Sequence, residues 1–548
     1  MPSCVDHRLR ARQLPDAINR PPGAKLSSVE QSPCCLPYTE LSGVRSVEHW
    51  SMAMGRVAPS VDEGTGEQRQ GVVGLGETVG ELRAAYESGG TRSLAWRQAQ
   101  LRGLLRLLAE EEVAAFRALR EDLGKHHAEA YRDEIGMLVK SANAALREVE
   151  KWMAPEKVWV PLIAFPARAR VEPEPLGVVL VFACWNVPLG LSLEPLVGAV
   201  AAGNAVALKP SELAPATARF LGDNIGKYMD AAAVKVIQGG AEVGEQLMEH
   251  RWDKVLFTGS PRIARVVMAA AAKHLTPVAL ELGGKCPCIF DTMGGSARDL
   301  QTAVNRVVGA KWSSCAGQAC LAIDYVLVEE RFVPVLIKAL KSTLKRFFTD
   351  SDHMARIVNA RHFQRLRGLL QDPSVAASVL LGGTLDTKNL YIEPTILLNP
   401  PLDSAIMTEE IFGPLLPIIT VKKIEDSVAF VRARPRPLAV YAFTKNAALR
   451  RRIVDETSSG SVTFNDAVVQ YGIDSLPFGG VGESGFGQYH GKYSFEMFSH
   501  KKAVLTRGYL IELTARYPPW DDSKISMMRQ LYRYNYVGFV LTFLGLKK

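Results

Sequence analysis

Residues 178–186 read VVLVFACWN, an apolar run that ends in a polar side chain. A continuous apolar run of this length is typical of a strand that is buried on both faces, as in a parallel sheet. Shorter apolar runs follow at 205–208, 234–237 and 254–257, and a helical pattern at 214–228 lies between the first two of these. This alternation of strand and helix predicts an α/β fold with a doubly wound, Rossmann-type parallel sheet.

The rest of the chain divides by composition. Residues 77–153 carry apolar residues at spacings of three and four, which predicts several helices with a break at Gly124. A further α/β block is predicted from about residue 286 to residue 460. Residues 1–75 are rich in Pro, Ser, Gly and charge and lack periodicity, so we expect a disordered extension there.

Composition and charge restrict the class of protein. The chain has 548 residues, 47% apolar and 22% charged, which is typical of a soluble globular protein of two or three domains. Its 65 basic and 57 acidic residues interleave, and this argues against nucleic-acid binding. The eight cysteines lack the paired spacing of a zinc site, so we predict no metal and expect free thiols in a reducing compartment. The N-terminus has no continuous apolar run of the kind that secretory signals contain.

The C-terminal tail differs from the rest of the chain. Basic residues precede an almost wholly apolar stretch at 536–546. As a helix this stretch would reach about 16 Å, roughly half of a hydrocarbon core, so it is too short to span a bilayer. We predict that residues 524–548 lie on the cytoplasmic surface of a membrane, the endoplasmic reticulum or the plasma membrane. The alternative is a terminal helix docked on its own domain or on a second subunit.

One cysteine stands in surroundings that suit a nucleophile. The stretch CAGQAC at 315–320 places Cys320 just after a Gly-Gln pair, beside unhindered backbone. A thiolate there can attack an electrophilic carbon while its own N–H faces the developing negative charge. Most buried cysteines are inert, so this interpretation depends on the polar residues that accompany it.

Polar residues that follow predicted strand ends are candidate binding groups. Asn186 is either a fixed amide donor for half of an oxyanion hole or an ordinary turn residue. Lys209 and Glu212 close the next strand, where they can bind ribose hydroxyls or an adenosine phosphate. Gly259 permits a tight turn, and Ser260 can cap the following helix, whose N-terminus can receive a pyrophosphate.

Two carboxylates complete the set. Glu281 stands between leucines, and apolar surroundings would raise its pKa so that it acts as a general base near neutral pH. The alternative without a function is a partly exposed glutamate at a strand end. Glu410 offers a carboxylate for a ribose, and Phe412 offers a ring to flank a nicotinamide.

These motifs, in this order, resemble the aldehyde dehydrogenase superfamily over about residues 76–507. The segments KHLTP at 273–277, SLPFGGVG at 475–482 and YHGKYSF at 489–495 resemble its class 3 branch, which includes the fatty aldehyde enzymes. The apolar tail also resembles that of the branch's membrane-anchored member, in a shortened form.

The resemblance implies NAD- or NADP-dependent oxidation of medium- or long-chain, lipid-derived aldehydes to carboxylic acids. By similarity, Cys320 attacks the aldehyde carbon, and Asn186 and the Cys320 N–H bind the oxyanion of the thiohemiacetal. Loss of hydride to the nicotinamide leaves a thioester, which a water molecule activated by Glu281 hydrolyses.

The resemblance also implies how the cofactor is bound and how the chain is divided. Lys209 and Glu212 would bind the adenosine ribose, and Glu410 the nicotinamide ribose, with Phe412 against the ring. A bridging hairpin at about 160–177 would pair with the segment near 501–507 and with a second subunit, which implies a homodimer. The implied parts are an NAD(P)-binding domain at 76–284, a catalytic domain at 285–466, a return to the first domain with a bridging strand at 467–510, and the tail at 511–548.

Three positions depart from the family pattern. Ala264 stands where a second glycine is usual in the phosphate turn, Cys315 replaces a structural asparagine, and Ile323 replaces a common proline. Cys315 also brings a second thiol near Cys320, so that oxidation could bridge the two.

Two other functions use the same fold. Ester hydrolysis by the same thiol would need no cofactor. A catalytically weak structural or binding protein is favoured by Ala264 and Cys315, although such a protein has no need for the whole set of candidate catalytic and binding residues.

Overall fold

The computed structural model describes residues 74–161, 164–544 and 546. The extension predicted at 1–75 therefore lies outside the described residues, apart from its last two. The first described helix already begins at Leu75.

The described strands and helices alternate over most of the chain. In chain order the strands are β1 (Glu156–Val158), β2 (Arg168–Pro175), β3 (Val178–Phe182), β4 (Ala205–Lys209), β5 (Val234–Val236), β6 (Lys254–Gly259), β7 (Val278–Leu282), β8 (Pro287–Phe290), β9 (Tyr325–Glu329), β10 (Val379–Leu381), β11 (Leu385–Asp386), β12 (Tyr391–Ile392), β13 (Thr395–Leu398), β14 (Leu415–Val421), β15 (Ala439–Phe443), β16 (Ser461–Phe464), β17 (Gly485–Phe486) and β18 (Ser499–Thr506). The α-helices are α1 (Leu75–Glu87), α2 (Leu94–Glu110), α3 (Glu112–Leu123), α4 (His127–Ala130), α5 (Gly136–Met153), α6 (Pro188–Ala202), α7 (Pro215–Tyr228), α8 (Ala241–Glu249), α9 (Pro261–Ala272), α10 (Ala297–Trp312), α11 (Val333–Phe347), α12 (Ala360–Gln371), α13 (Pro373–Ala376), α14 (Ala405–Thr408), α15 (Asp426–Arg432), α16 (Ala447–Glu456), α17 (Gly491–Met497), α18 (Asp522–Tyr532) and α19 (Tyr536–Phe543).

The sheet predicted from the apolar run at 178–183 is present. Its strands lie in the order β17-β7-β6-β3-β4-β5, and all neighbours are parallel except β17 and β7. Alternate residues of the central strand β3 enter two different hydrophobic clusters, Val179 and Val181 on one face and Val178 and Leu180 on the other. This burial on both faces explains why the run is apolar without alternation.

Two further sheets complete the architecture. One has the order β10-β13-β14-β9-β8-β15-β16 and is parallel except at β10, which confirms an α/β block in the region predicted for it. The other is antiparallel, in the order β1-β2-β18. In it, the eight residues of β2 pair with the eight of β18, which brings the predicted bridging segments together.

The strand order of the first sheet predicts where a ligand-binding crevice lies. From β3 the chain moves outward to β4 and β5 on one side, and then returns to β6 and β7 on the other side. The carboxyl ends of parallel strands leave an open cleft at such a reversal, and ligands bind there in doubly wound folds.

The tail forms two short helices, α18 and α19. Leu531 and Phe539 are buried, whereas the side chains of Val537 and Phe543 are 72% and 62% exposed. Among the residues that the structure describes, no helix has the length and apolar character needed to cross a membrane.

Candidate active site

A cavity of about 1180 Å³ opens at the carboxyl ends of β3, β4 and β6. It is larger than most small-molecule pockets, which suits a dinucleotide together with a second ligand. All the sequence-predicted site residues line it: Asn186, Lys209, Glu212, Gly259, Ser260, Glu281, Cys320, Glu410 and Phe412.

The ends of β3 and β4 supply three polar side chains to this cavity. Asn186 follows β3 and is only 2% exposed. Lys209 is the last residue of β4, and its Nζ donates to Glu212 Oε2 at 2.8 Å. The pair places an ammonium group and a carboxylate together at the sheet edge, where both can meet the hydroxyls of a sugar.

The turn after β6 has the predicted form. Ser260 is the N-cap of α9, its hydroxyl accepts a hydrogen bond from the N–H of Ile263 at 3.5 Å, and Pro261 occupies the first helical position. A Cβ at Gly259 would lie 2.7 Å from the tip of the Phe257 ring, so a larger residue there would have to displace that ring. Ala264 is buried in the first turn of α9, within the hydrophobic cluster of the sheet. The N-terminus of α9 lies at the cavity wall, since Ser260, Pro261 and Ile263 line it, and its helix dipole favours an anionic ligand there.

Glu281 lies in β7 with its carboxyl group buried. Neither Oε1 nor Oε2 has a hydrogen-bond partner among the described residues. Burial raises the pKa of Glu281 well above its ordinary value. A buried polar group without a partner is uncommon in folded proteins, so this carboxyl group is suited to bind a ligand or a water molecule in the cavity.

Cys320 follows a strained turn that its neighbours hold in place. Cys315 and Ala316 have φ angles of 49° and 52°, in the left-handed region that residues with a Cβ seldom occupy. Gln318 is fully buried and spans the turn: its amide nitrogen donates to the carbonyls of Cys315 and Arg356, at 3.0 Å each. Gly317 has a φ of 76°, which a glycine adopts without strain, so both residues of the Gly-Gln pair have a structural role.

The Cys320 thiol is neutral in these surroundings. Burial raises its pKa well above the ordinary value, and the carboxylates of Glu410 and Glu281 raise it further. Ionisation of the thiol therefore has to accompany substrate binding or proton transfer.

A loop between α14 and β14 carries Glu410 and Phe412. Burial raises the pKa of Glu410 to about 8, and its Oε1 has no hydrogen-bond partner among the described residues. Gly283 permits the carboxyl group to approach, since a Cβ there would lie 2.2 Å from it. Phe412 stands edge-on to Trp185, with ring centroids 5.3 Å apart.

Lys285 and Asp324 hold this loop, and we did not single them out from the sequence. Lys285 Nζ contacts Asp324 and donates to the carbonyls of Ile406 and Glu409 at 2.8 Å each. Asp324 in turn accepts from the N–H of Ile411 at 2.9 Å. The position of Lys285 directly after Gly283-Gly284 was the one available sequence signal.

These groups fit a nicotinamide dinucleotide. The unpartnered oxygen of Glu410 and the Lys209–Glu212 pair can meet ribose hydroxyls, and the N-terminus of α9 can receive the pyrophosphate. The ring of Phe412 lines the cavity and can contact a planar ring.

A second group of ionisable side chains, two of them buried and one half-buried, lies outside this cavity. One side-chain atom each of Glu194, Asp474 and His490 lies within 4.8 Å of the others. Burial raises the pKa of Glu194 to about 7 and lowers that of His490 to about 3. Lys140 pairs with Asp474 at 2.8 Å. No sequence pattern indicates this group, because its members come from distant segments of the chain.

Comparison with known proteins identifies the family. A sequence model described as "Aldehyde dehydrogenase family" matches residues 75–504. Aldehyde dehydrogenase family 3 member F1 of Arabidopsis thaliana is 52% identical over 476 residues, which cover 86% of this chain and 98% of that one. Family 3 member A2 of Rattus norvegicus is 42% identical over 454 residues, 82% of this chain and 92% of that one. Among solved structures, the substrate-bound AldH of Staphylococcus aureus aligns with a TM-score of 0.79 and 38% identity, covering 85% of this chain and 99% of that chain.

The chain therefore belongs to the aldehyde dehydrogenase family, and its relatives include family 3 members. It is an aldehyde dehydrogenase that uses NAD or NADP, and its fold is the mixed α/β fold of that family. The fold class, the enzyme class and the cofactor class expected from the motifs are confirmed.

Proposed function

We propose that this enzyme oxidises medium- or long-chain aliphatic aldehydes to carboxylic acids through a covalent intermediate on Cys320. The observation that carries the proposal is the arrangement of one cavity: it brings together a thiol, a buried amide and a carboxyl group with two unpartnered oxygens. The likeness to family 3 members and the exposed apolar tail support a lipid-derived substrate.

In the proposed reaction, Cys320 Sγ bonds to the aldehyde carbon, and its proton leaves to solvent or to a carboxylate of the cavity. The new oxyanion accepts hydrogen bonds from the Asn186 amide and from the Cys320 N–H. Bound NAD or NADP supplies a hydride acceptor. Once hydride has left the carbon, Glu281 in its ionised form takes a proton from water, and the resulting hydroxide displaces Cys320 from the thioester.

We propose that the first parallel sheet, at 76–284 with the return at 467–510, binds the cofactor, and that 285–466 forms the catalytic part. Lys209, Glu212, Ser260 and Glu410 would bind the cofactor through its sugars and pyrophosphate, with Phe412 beside the nicotinamide. Strand β18 lies at the edge of its sheet, with β2 on one side only. This supports a homodimer, because an edge strand can pair with a strand of a second copy.

We also propose that the tail binds the surface of a membrane. Val537, Phe543 and Leu544 expose apolar surface next to the basic residues Arg529 and Arg533. Apolar and cationic groups together favour an anionic lipid surface. Co-sedimentation with anionic vesicles should therefore be lost in a Val537→Glu/Phe543→Glu variant that keeps its turnover of a soluble aldehyde; equal sedimentation of both proteins would reject the proposal.

The first experiment measures NADH and NADPH formation by the purified protein with hexanal and with hexadecanal. Turnover should fall at least about 1,000-fold in Cys320→Ser, because the nucleophile is lost. Cys184 also lines the cavity, so Cys184→Ser is the matched control and should retain turnover.

The other outcomes separate the alternatives. Release of p-nitrophenol from an ester without cofactor, and no reduction of NAD or NADP, would indicate a thiol esterase. Absence of both activities in a folded protein would indicate a binding protein on this fold.

A further inference from the structure

Beneath the loop that carries Asn186 lies a pair of fully buried charges. The side chains of Lys125 and Glu134 have no exposed surface, and Nζ lies 2.5 Å from Oε1. The same ammonium group donates to the backbone carbonyl of Asn186 at 3.0 Å. The second oxygen of Glu134 accepts from the N–H groups of Leu189 and Gly190, at 2.8 and 3.1 Å. The pair thus holds both the carbonyl of Asn186 and the start of α6.

The network also reaches the turn that precedes the nucleophile. Cys315 Sγ donates to the same Asn186 carbonyl at 3.0 Å, and the Cys315 N–H donates to Glu129 Oε1 at 2.7 Å. Burial raises the pKa of the Cys315 thiol, which keeps it protonated and able to donate. Two donors therefore meet on one carbonyl, one from the residue after α3 and its Gly124 cap and one from the turn that precedes Cys320.

One short segment supplies all three ionisable groups. Lys125 follows α3, Glu129 lies in α4, and Glu134 lies in a single π-helical turn, Tyr131–Ile135. Such turns are rare and occur often at functional sites. Burial alone would lower the pKa of Lys125, but the carboxylates of Glu134 and Glu129 raise it overall, so the lysine remains a cation.

We propose that Lys125 is a positioning residue for aldehyde oxidation, acting through the backbone of Asn186. This inference rests on the proposed function, in which the Asn186 side chain binds the oxyanion. The carbonyl and the side chain of Asn186 leave the same Cα, so anchoring the peptide fixes the amide relative to Cys320. An oxyanion donor is effective only within about 2.7–3.1 Å of the developing charge, and a freed peptide would lose that alignment.

A thermodynamic cycle tests the proposal with Lys125→Met, Asn186→Ala and the double variant. Rates are divided by the number of active sites, counted as the folded fraction of the protein measured by circular dichroism. Asn186→Ala should lower kcat about 100- to 1,000-fold, as expected for an oxyanion donor. Lys125→Met should lower kcat about 10- to 100-fold, with the KM for NAD changed less than about twofold.

The double variant decides the outcome. If Lys125 acts through Asn186, adding Lys125→Met to Asn186→Ala should cost less than about threefold more, because the donor that it aligns is already absent. An equal loss in both backgrounds would overturn the inference and leave the proposed function intact. Full activity of Asn186→Ala would overturn both.

A matched control separates positioning from general damage to a buried network. Asn204 is fully buried and bonds to the N–H of Gly177 and to the carbonyls of Ala199 and Phe498, away from the Cys320 turn. Asn204→Ala should lower stability but keep kcat per active site within about twofold. If Lys125→Met does not fold, Cys315→Ala is used instead, because it removes the second donor without leaving a buried charge unpaired. Cys315→Ala should show the same non-additive pattern with Asn186→Ala. Additive losses of kcat in that pair would overturn the inference.

Discussion

Cys320 lies where the protein opposes ionisation of its thiol. Reactive cysteines with low pKa values usually lie beside a cation or a helix N-terminus, whereas the groups that influence Cys320 are the carboxyls of Glu410 and Glu281 and two other thiols. Burial also raises the pKa of Glu281 well above its ordinary value, so the same surroundings oppose ionisation of both groups. A neutral thiol is a poor target for oxidants and electrophiles.

This residue-scale property predicts slow alkylation of Cys320 in the cofactor-free enzyme. Because only the thiolate reacts and the pKa is raised, the rate with iodoacetamide should increase roughly tenfold for each pH unit between pH 7 and pH 9. Mass spectrometry of the Cys320 peptide measures the rate. The pKa of Glu410 is about 8, so its carboxylate opposes ionisation of Cys320 mainly above that pH. In a Glu410→Gln variant the Cys320 rate should therefore be higher at pH 9 and little changed at pH 7. A wild-type rate that is already constant below pH 8 would show that the thiol ionises easily.

At the scale of elements, a side chain near the end of one helix caps the N-terminus of another helix beside the cavity. Asp122, near the end of α3, accepts from the N–H groups of Ala216 and Thr217 at 2.9 and 2.8 Å and from the Thr217 hydroxyl at 2.7 Å. It therefore caps α7, the helix that follows Lys209. Its carboxylate is only 6% exposed, so the charge is well placed to act on the helix N-terminus.

Asp122→Asn should destabilise the protein by about 1–3 kcal/mol, because a buried charge-assisted cap is lost. The adjacent Glu121 is a matched control: it pairs with Arg219 at the surface, where both side chains are more than half exposed. Glu121→Gln should therefore change stability by less than about 0.5 kcal/mol. Urea unfolding of the two variants compares the effects; similar losses would show that the cap contributes no more than a surface pair.

The elements that sequence patterns predicted are those governed by neighbours in the chain. The run at 178–183 became the central strand, the predicted helix 214–228 became α7, and Ser260 caps α9. Gly124 ends α3 with a φ of 67°. In each case a local pattern of apolar or turn-forming residues was sufficient.

The part that could not be predicted depends on long-range hydrogen bonds. Lys125 is 61 residues from Asn186, and Glu129 is 186 residues from Cys315. A lysine after a helix-ending glycine is typical of an exposed loop, and only the folded arrangement buries it. The left-handed conformation of Cys315 likewise has no signal in a single sequence, beyond its place in a glycine-containing turn.

At the scale of the whole molecule, Glu194 makes the stability of the fold depend on pH, because it is buried where distant segments pack together. Its carboxyl group on α6 lies with Asp474 and His490 from the end of the chain, and burial raises its pKa to about 7 from an ordinary value of 4.5. Between these two values the folded state binds more protons than the unfolded state. The contribution of Glu194 to stability is therefore full below pH 4.5, decreases as the pH rises, and is lost above about pH 7.

Glu194→Gln removes this titration. The stability of the variant relative to the wild type should increase between pH 5 and pH 8, by a shift on the order of 2–3 kcal/mol. Chemical denaturation at four pH values measures the difference, and Glu249→Gln, at an exposed glutamate paired with Lys273, serves as the surface control. A difference between Glu194→Gln and the wild type that is independent of pH would show that Glu194 is not neutral in the folded protein.

The strand β7, which carries Glu281, has a consequence for synthesis on the ribosome. Its outer neighbour is β17, where Gly485 stands opposite Glu281, roughly two hundred residues later in the chain. At a synthesis rate of about 5–20 residues per second, strand β17 is made about 10–40 s after β7, and until then the edge of β7 is unpaired. The interval is longer still for the antiparallel sheet, because β2 pairs with β18, which is made later than β17. The nascent chain thus carries an open sheet edge until its last tenth or so emerges, and such an edge can pair with other chains.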